Sequence, residues 1–197
     1  MDNEIENKNP LREKYRAMRR ETGDTLNGVI DRAIANRLFE LPQWKGAGSV
    51  FVYVSVNDEV STKDILERAF DEEKKVLAPR TTENGDMDAV RIRSVRELVR
   101  THFGIAEPLP EAVAFPPEDI DLIIIPSLCI DKSGGRLGYG GGYYDKYISA
   151  LPEKDGHTCA SLVAIQRDYA VSPTPLPLTK HDKKAQIIVT EKRVIYL

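Results

Sequence analysis

The most apolar run in the chain, Leu122-Ile123-Ile124-Ile125-Pro126, shows no polar alternation, and a strand of that kind has to be covered on both faces. It calls for a sheet buried between helical layers. Around it the apolar period switches between 2 and 3.6. Residues 50–56 are β-branched and aromatic enough for a strand, Ser61-Thr62-Lys63-Asp64 resembles a capping box opening a helix, and residues 76–79 return as a strand. Strand, capped helix, strand implies a parallel βαβ unit. Residues 88–93, 158–165 and 186–190 read as further strands.

Two helices are expected ahead of the sheet. Asn9-Pro10 reads as an N-cap with proline in the first helical position, starting a helix to about Glu21. The second runs from Asp24 or Thr25 to Leu41, with Leu26, Val29, Ile30, Ala33, Ile34 and Leu38 spaced to pack on the core. The fold class expected is α/β, a three-layer α/β/α sandwich around a mostly parallel, Rossmann-like sheet. At 197 residues the chain suits a single domain, 1–197, in which the polar residues 1–7 are expected to be a disordered tail.

After the apolar strand comes Asp131-Lys132-Ser133-Gly134-Gly135-Arg136-Leu137-Gly138-Tyr139-Gly140-Gly141-Gly142-Tyr143-Tyr144-Asp145, and then a segment able to be helical. A loop with six glycines between 134 and 142 can turn successive backbone N–H groups toward a phosphate. It matches neither familiar phosphate spelling. Gly135 to Gly140 has the Walker gap but is followed by Gly141 instead of Lys-Ser/Thr, and Tyr143 stands where a dinucleotide loop needs its last glycine. A plain flexible turn is the competing reading, but arginine, tyrosines and aspartate are a mixture that solvated linkers seldom carry.

Composition removes several classes. A formal net charge of -3 argues against general nucleic-acid or membrane-surface binding, and no apolar run approaches the roughly 20 residues of a membrane span. The N-terminus has no apolar signal core, so a cytoplasmic location is expected. Cys129 and Cys159 lie in apolar strand candidates and read as inert thiols, and the three histidines lack metal spacing. Lys8, Arg12, Arg16, Arg19 and Arg20 crowd the first helix; such stripes are usually solvated, yet Lys8 and Arg12 at the end where cations oppose the macrodipole point to an anionic ligand.

The informative loops are 57–60, 131–145 and the region around 80–87, and the site is expected where they meet. Glu59, Asp131, Asp145 and Asp182 gathered near a phosphate loop, with Lys132 and Arg136 as counter-charges, fit a nucleoside triphosphate and its magnesium ion. Residue chemistry alone stops at a phosphate-handling α/β domain. A sugar-phosphate isomerase, a coenzyme A transferase and a nucleic-acid module using the basic helix remain open beside an ATP enzyme.

Residues 135–145 resemble the signature of the 5-formyltetrahydrofolate cyclo-ligase (5,10-methenyltetrahydrofolate synthetase) family, and further matches follow the family order. They are Lys8 with Leu11-Arg12, Tyr53 with Asn57-Asp58-Glu59-Val60 and Thr62, Pro79-Arg80, residues 87–92, Gly104-Ile105-Ala106-Glu107-Pro108 and His181-Asp182. The resemblance implies ATP- and magnesium-dependent cyclisation of 5-formyltetrahydrofolate, with or without a polyglutamate tail, to 5,10-methenyltetrahydrofolate by a monomer, through a phosphorylated formyl group. It assigns ATP to Lys8, Arg12, Gly135, Arg136, Leu137, Gly138, Tyr139, Gly140, Gly141 and Gly142. Magnesium falls to Asp145 and Asp182. The folate falls to Tyr53, Glu59, Met87, Phe103, Tyr143 and Tyr144, and the catalytic roles to Arg136 and Tyr144.

Overall fold

The computed structural model describes residues 2–101, 104–154 and 157–197. Helices α1 (Asp2–Thr22), α2 (Asp24–Phe39) and α3 (Pro42–Gly46) precede strand β1 (Ser49–Val52), followed by α4 (Lys63–Asp71), β2 (Lys75–Thr81) and β3 (Met87–Ile92). A short pair, β4 (Val99–Arg100) and β5 (Ala106–Glu107), leads to the apolar strand β6 (Leu122–Ile125). Then come β7 (Cys129–Asp131), β8 (Arg136–Leu137), α5 (Tyr143–Ser149), the hairpin β9 (Glu153–Lys154) and β10 (His157–Thr158), and β11 (Ser161–Ile165). Strands β12 (Val171–Ser172), β13 (Ile187–Val189) and β14 (Val194–Tyr196) finish the chain.

Seven strands form the main sheet in the order β14-β13-β11-β6-β1-β2-β3. Neighbours pair in parallel except at the two edges, where β3 and β14 run antiparallel. The mostly parallel sheet is as expected, and β6 lies at its centre. Alternate residues explain why: Leu122 and Ile124 face one apolar cluster with α2, α3 and α4, while Ile123 and Ile125 face a second with Ile148 and Leu151. The second helical layer is thin, α5 with loops. Among the described residues no helix is long and apolar enough to cross a membrane.

Several local expectations change. Helix α1 starts at Asp2, ahead of the expected start at Asn9-Pro10, and Pro10 sits inside it. No glycine or proline stands among residues 2–9 to stop the helix there, and Pro10 itself removes only one backbone donor from the ladder. Thr62 is the residue before α4, but its hydroxyl does not cap the helix; it accepts the Ser55 N–H at 3.1 Å, while the Ser55 hydroxyl accepts from Thr62. That reciprocal pair ties the end of the β1 segment to α4. On α2 the inward face is rotated from the apolar pattern: Leu26 and Val29 are exposed, whereas Asn27 and Asp31 are buried. Asp31 can go inside because Arg167 grips it with two bonds of 2.8 and 2.9 Å.

The glycine loop is not a single loop either. Its first part is a small antiparallel ladder, β7 with β8, extended in parallel by β12. Helix α1 lies over this small sheet, where Tyr15 packs with Leu128, Cys129 and Leu137. The basic helix is thereby brought beside the glycines.

Candidate active site

A cavity of about 620 Å³ opens beyond the carboxyl ends of β1, β2 and β6, the position at which open α/β sheets collect ligands. The chain leaves β1 at Val52, four residues before its sequence pattern ends, so that Tyr53, Val54 and Val56 become wall. Asn57, Asp58 and Glu59, Pro79 and Thr81 of β2, Met87 of β3, Pro126 and the glycine loop also line it.

One half of the cavity gathers cations around the glycines. Gly140 and Gly142 have φ of 114° and 69°, left-handed conformations that a side chain would strain, and Gly142 immediately precedes α5. Arg12 reaches across from α1 and donates from Nε to the Gly138 carbonyl at 3.0 Å. Lys8 Nζ donates to Asp182 Oδ2 at 2.7 Å, and Arg136 Nη2 to Asp145 Oδ1 at 2.7 Å. Arg136 is only 5% exposed, and its Nε–H has no partner among the described residues. Burial pulls the Arg136 guanidinium below its ordinary value while Asp145 opposes that fall, and Arg12 is lowered by burial and by Arg16. Three crowded cations with an unfilled donor fit a polyphosphate.

Asp145 and Asp182 both line this half, and each spends a single oxygen on its bonds: Asp145 Oδ1 on Arg136 and the Lys183 N–H, Asp182 Oδ2 on Lys8 and the Thr179 N–H. Burial raises the Asp182 carboxyl, but Lys8 and Thr179 outweigh it and hold it below the usual range. Among the described residues no three His, Cys, Asp or Glu side chains cluster as a metal cage. A magnesium ion shared with phosphates needs only one or two protein carboxylates, so this donor set fits one.

The other half is apolar with isolated acceptors. Glu59 Oε2 takes the Val56 N–H at 2.9 Å, and burial raises its pKa against the pull of that bond and of Arg19. The Tyr53 hydroxyl donates to the Val60 carbonyl at 2.8 Å, which anchors the same loop. Tyr144 stacks on Phe51, with centroids 6.0 Å apart and planes 23° apart, and its buried hydroxyl has no partner among the described residues. Burial pushes that hydroxyl's pKa far up, so it stays a donor. Tyr143 and Tyr139 stand more exposed at the rim.

All but two of the residues assigned through the family resemblance line the cavity. Gly135 lies behind the wall, where a Cβ would come within 2.6 Å of Asp131 Oδ2, and Phe103 falls outside the described residues. Asp131 is not in the cavity at all. Its carboxylate accepts N–H groups of Ser133, Gly135 and Leu176, the work of a hairpin-turn residue, and Lys132 does not line the cavity. Cys129 is buried, its thiol pushed up to about 12, as suits an inert side chain.

Sequence reasoning misses Glu107 and Arg19. Glu107 lines the folded cavity at 5% exposure, and its oxygens take the Thr81 hydroxyl at 3.0 Å and N–H at 3.2 Å. Its segment matches the family by spelling, but no local pattern marks one glutamate as inward. Arg19 is hidden in a charged stripe.

Comparison with known proteins agrees over nearly the whole chain. A model of the 5-formyltetrahydrofolate cyclo-ligase family matches residues 4–191. A relative from Schizosaccharomyces pombe named probable 5-formyltetrahydrofolate cyclo-ligase is 29% identical over 88% of this chain and 91% of its own. The 5-formyltetrahydrofolate cyclo-ligase of Mus musculus is 30% identical over 76% of each chain. The solved structure of Aquifex aeolicus 5,10-methenyltetrahydrofolate synthetase superposes with a TM-score of 0.82 at 28% identity, covering 96% of this chain and 92% of that one.

Proposed function

The chain belongs to the 5-formyltetrahydrofolate cyclo-ligase family and is an enzyme of that activity; from that premise we propose that it closes 5-formyltetrahydrofolate to 5,10-methenyltetrahydrofolate at the expense of ATP, with magnesium. The observation that carries this reading is one cavity with two chemistries: a cation-rich glycine loop on one side, and a buried and a half-buried glutamate with apolar and aromatic walls on the other.

An amide oxygen is a poor nucleophile and, once hydroxide-like, a poor leaving group. Phosphorylation answers the second problem. The formyl oxygen attacks the γ-phosphorus and ADP leaves; N10 then adds to the formyl carbon and gives up its proton, and phosphate departs with the former formyl oxygen. The protein's task is alignment and charge neutralisation. Lys8, Arg12 and Arg136 hold the phosphates together with the backbone of 138–142. Asp145 and Asp182 would hold magnesium, which would supply positive charge against the phosphate oxygens. Glu59 accepts N–H donors of the pterin, Met87 and Tyr143 flank it, and the Tyr144 hydroxyl donates toward the reacting formyl group.

The test is an absorbance assay for the methenyl folate with 5-formyltetrahydrofolate, magnesium and ATP. Product is expected only when ATP is present, and Arg136→Ala should lose turnover while keeping a cooperative melt. Failure of the native protein to make methenyl folate, or equal rates without ATP, refutes the proposal.

A further inference from the structure

Arg19 is 1% exposed, yet among the described residues no carboxylate approaches it more closely than Asp58 at 4.0 Å. A guanidinium kept from water at such cost has to be used through its hydrogen bonds. Its Nη2 donates to the carbonyls of Ser127 at 2.7 Å and Leu128 at 3.1 Å, in the turn between β6 and β7, which fixes the group on the central strand. Its Nη1 donates to the Tyr139 hydroxyl at 2.6 Å and to the Asp58 carbonyl at 3.3 Å. Tyr139 belongs to the glycine loop and Asp58 to the Glu59 loop, and both line the cavity. The Glu59 loop is also held from behind, since Arg167 donates to the carbonyls of Asp58 and Glu59 at 3.0 Å each.

We infer that Arg19 is a positioning residue that joins the nucleotide side of the cavity to the folate side, so that filling one side tightens binding at the other. One nitrogen is shared by two loops, and the turn carbonyls leave it little freedom to follow either alone. A ligand that orders the glycine loop holds Tyr139 on Arg19, and thereby the donor on which the Asp58 carbonyl rests. By linkage the same factor applies in the reverse direction. This inference rests on the two-substrate reading given above.

The experiment is calorimetric titration of the full chain with a non-hydrolysable ATP analogue and magnesium, with and without saturating 5-formyltetrahydrofolate. The native protein should bind the analogue about 5-fold or more tightly when folate is present. Tyr139→Phe deletes one bond of the link from a side chain 38% exposed, so folding should survive, and the ratio should fall toward one. Arg19→Lys loses the fork and should do the same. Because the ratio cancels any direct contact between residue 139 and the nucleotide, a merely structural role would not move it. A native ratio of one in a protein that still turns over, or a native-like ratio in Tyr139→Phe, overturns the inference and leaves the cyclo-ligase reading standing. A native chain that binds the analogue but no folate overturns both.

Discussion

Replacing Glu59 by glutamine should stabilise the free protein at neutral pH and cripple its hold on folate. Burial raises the folded-state pKa of Glu59 above its ordinary value, so the ionised form is disfavoured by folding. The sign follows. The penalty is absent at pH values below the ordinary glutamate pKa, grows as pH rises through the window up to the raised pKa, and is complete above it. The Glu59→Gln variant has no charge to desolvate at this position, so its melting temperature should equal that of the native protein in acid and exceed it at pH 7. Binding should move the other way. Oε2 is occupied by the Val56 N–H, which leaves Oε1 as the acceptor for the proposed pterin N–H. A glutamine that keeps its oxygen on Val56 turns an NH2 toward the ligand, setting donor against donor. Losing a hydrogen bond to a charged group costs about 1.5–3 kcal/mol, or roughly 10- to 150-fold in folate Kd. Calorimetric folate binding and melts across pH measure both arms. A variant that is less stable at pH 7, or that binds folate normally, would refute the reasoning.

Asp145→Asn keeps an oxygen for Arg136 but removes a charge from the proposed magnesium pair, so the magnesium concentration for half-maximal turnover should rise at least several-fold while ATP affinity without metal changes little; an unmoved magnesium midpoint counts against the assignment. Asp131 is expected to matter for stability instead. Burial raises its carboxyl, but bonds from Leu176, Ser133 and Gly135 outweigh that and hold it below the usual value, so its contribution is complete above the ordinary aspartate pKa and lost as pH falls through the depressed one. Asp131→Ala should therefore cost about 2–4 kcal/mol in denaturant unfolding at pH 7, and less in acid; a pH-independent loss contradicts this origin.

Much of the site is readable because it is local. The glycines, Arg136, Tyr143, Tyr144 and Asp145 lie within one stretch, and the 53–59 segment leaves an obvious strand. What misleads is charge without context. Asp131 and Asp145 flank the same loop, yet one closes a hairpin and the other faces the cavity, and only the β7–β8 ladder separates those fates. On α2 the apolar spacing aims Val29 inward, but the chain buries Asp31 because Arg167, two residues beyond β11, meets it with a bidentate pair of bonds.

The sequence by itself determined the class of fold and the place of the glycine loop, since an unbroken apolar strand admits only a covered sheet and six glycines so close together permit backbone conformations that other residues avoid. The tertiary structure decided which charges act and on what. Lys8 meets Asp182 across 174 positions, Arg167 meets Asp31 across 136, and Arg19 reaches Tyr139 across 120. An ionised side chain enters the interior only when its partner is already there, and nothing in the residues beside it says where along the chain that partner lies.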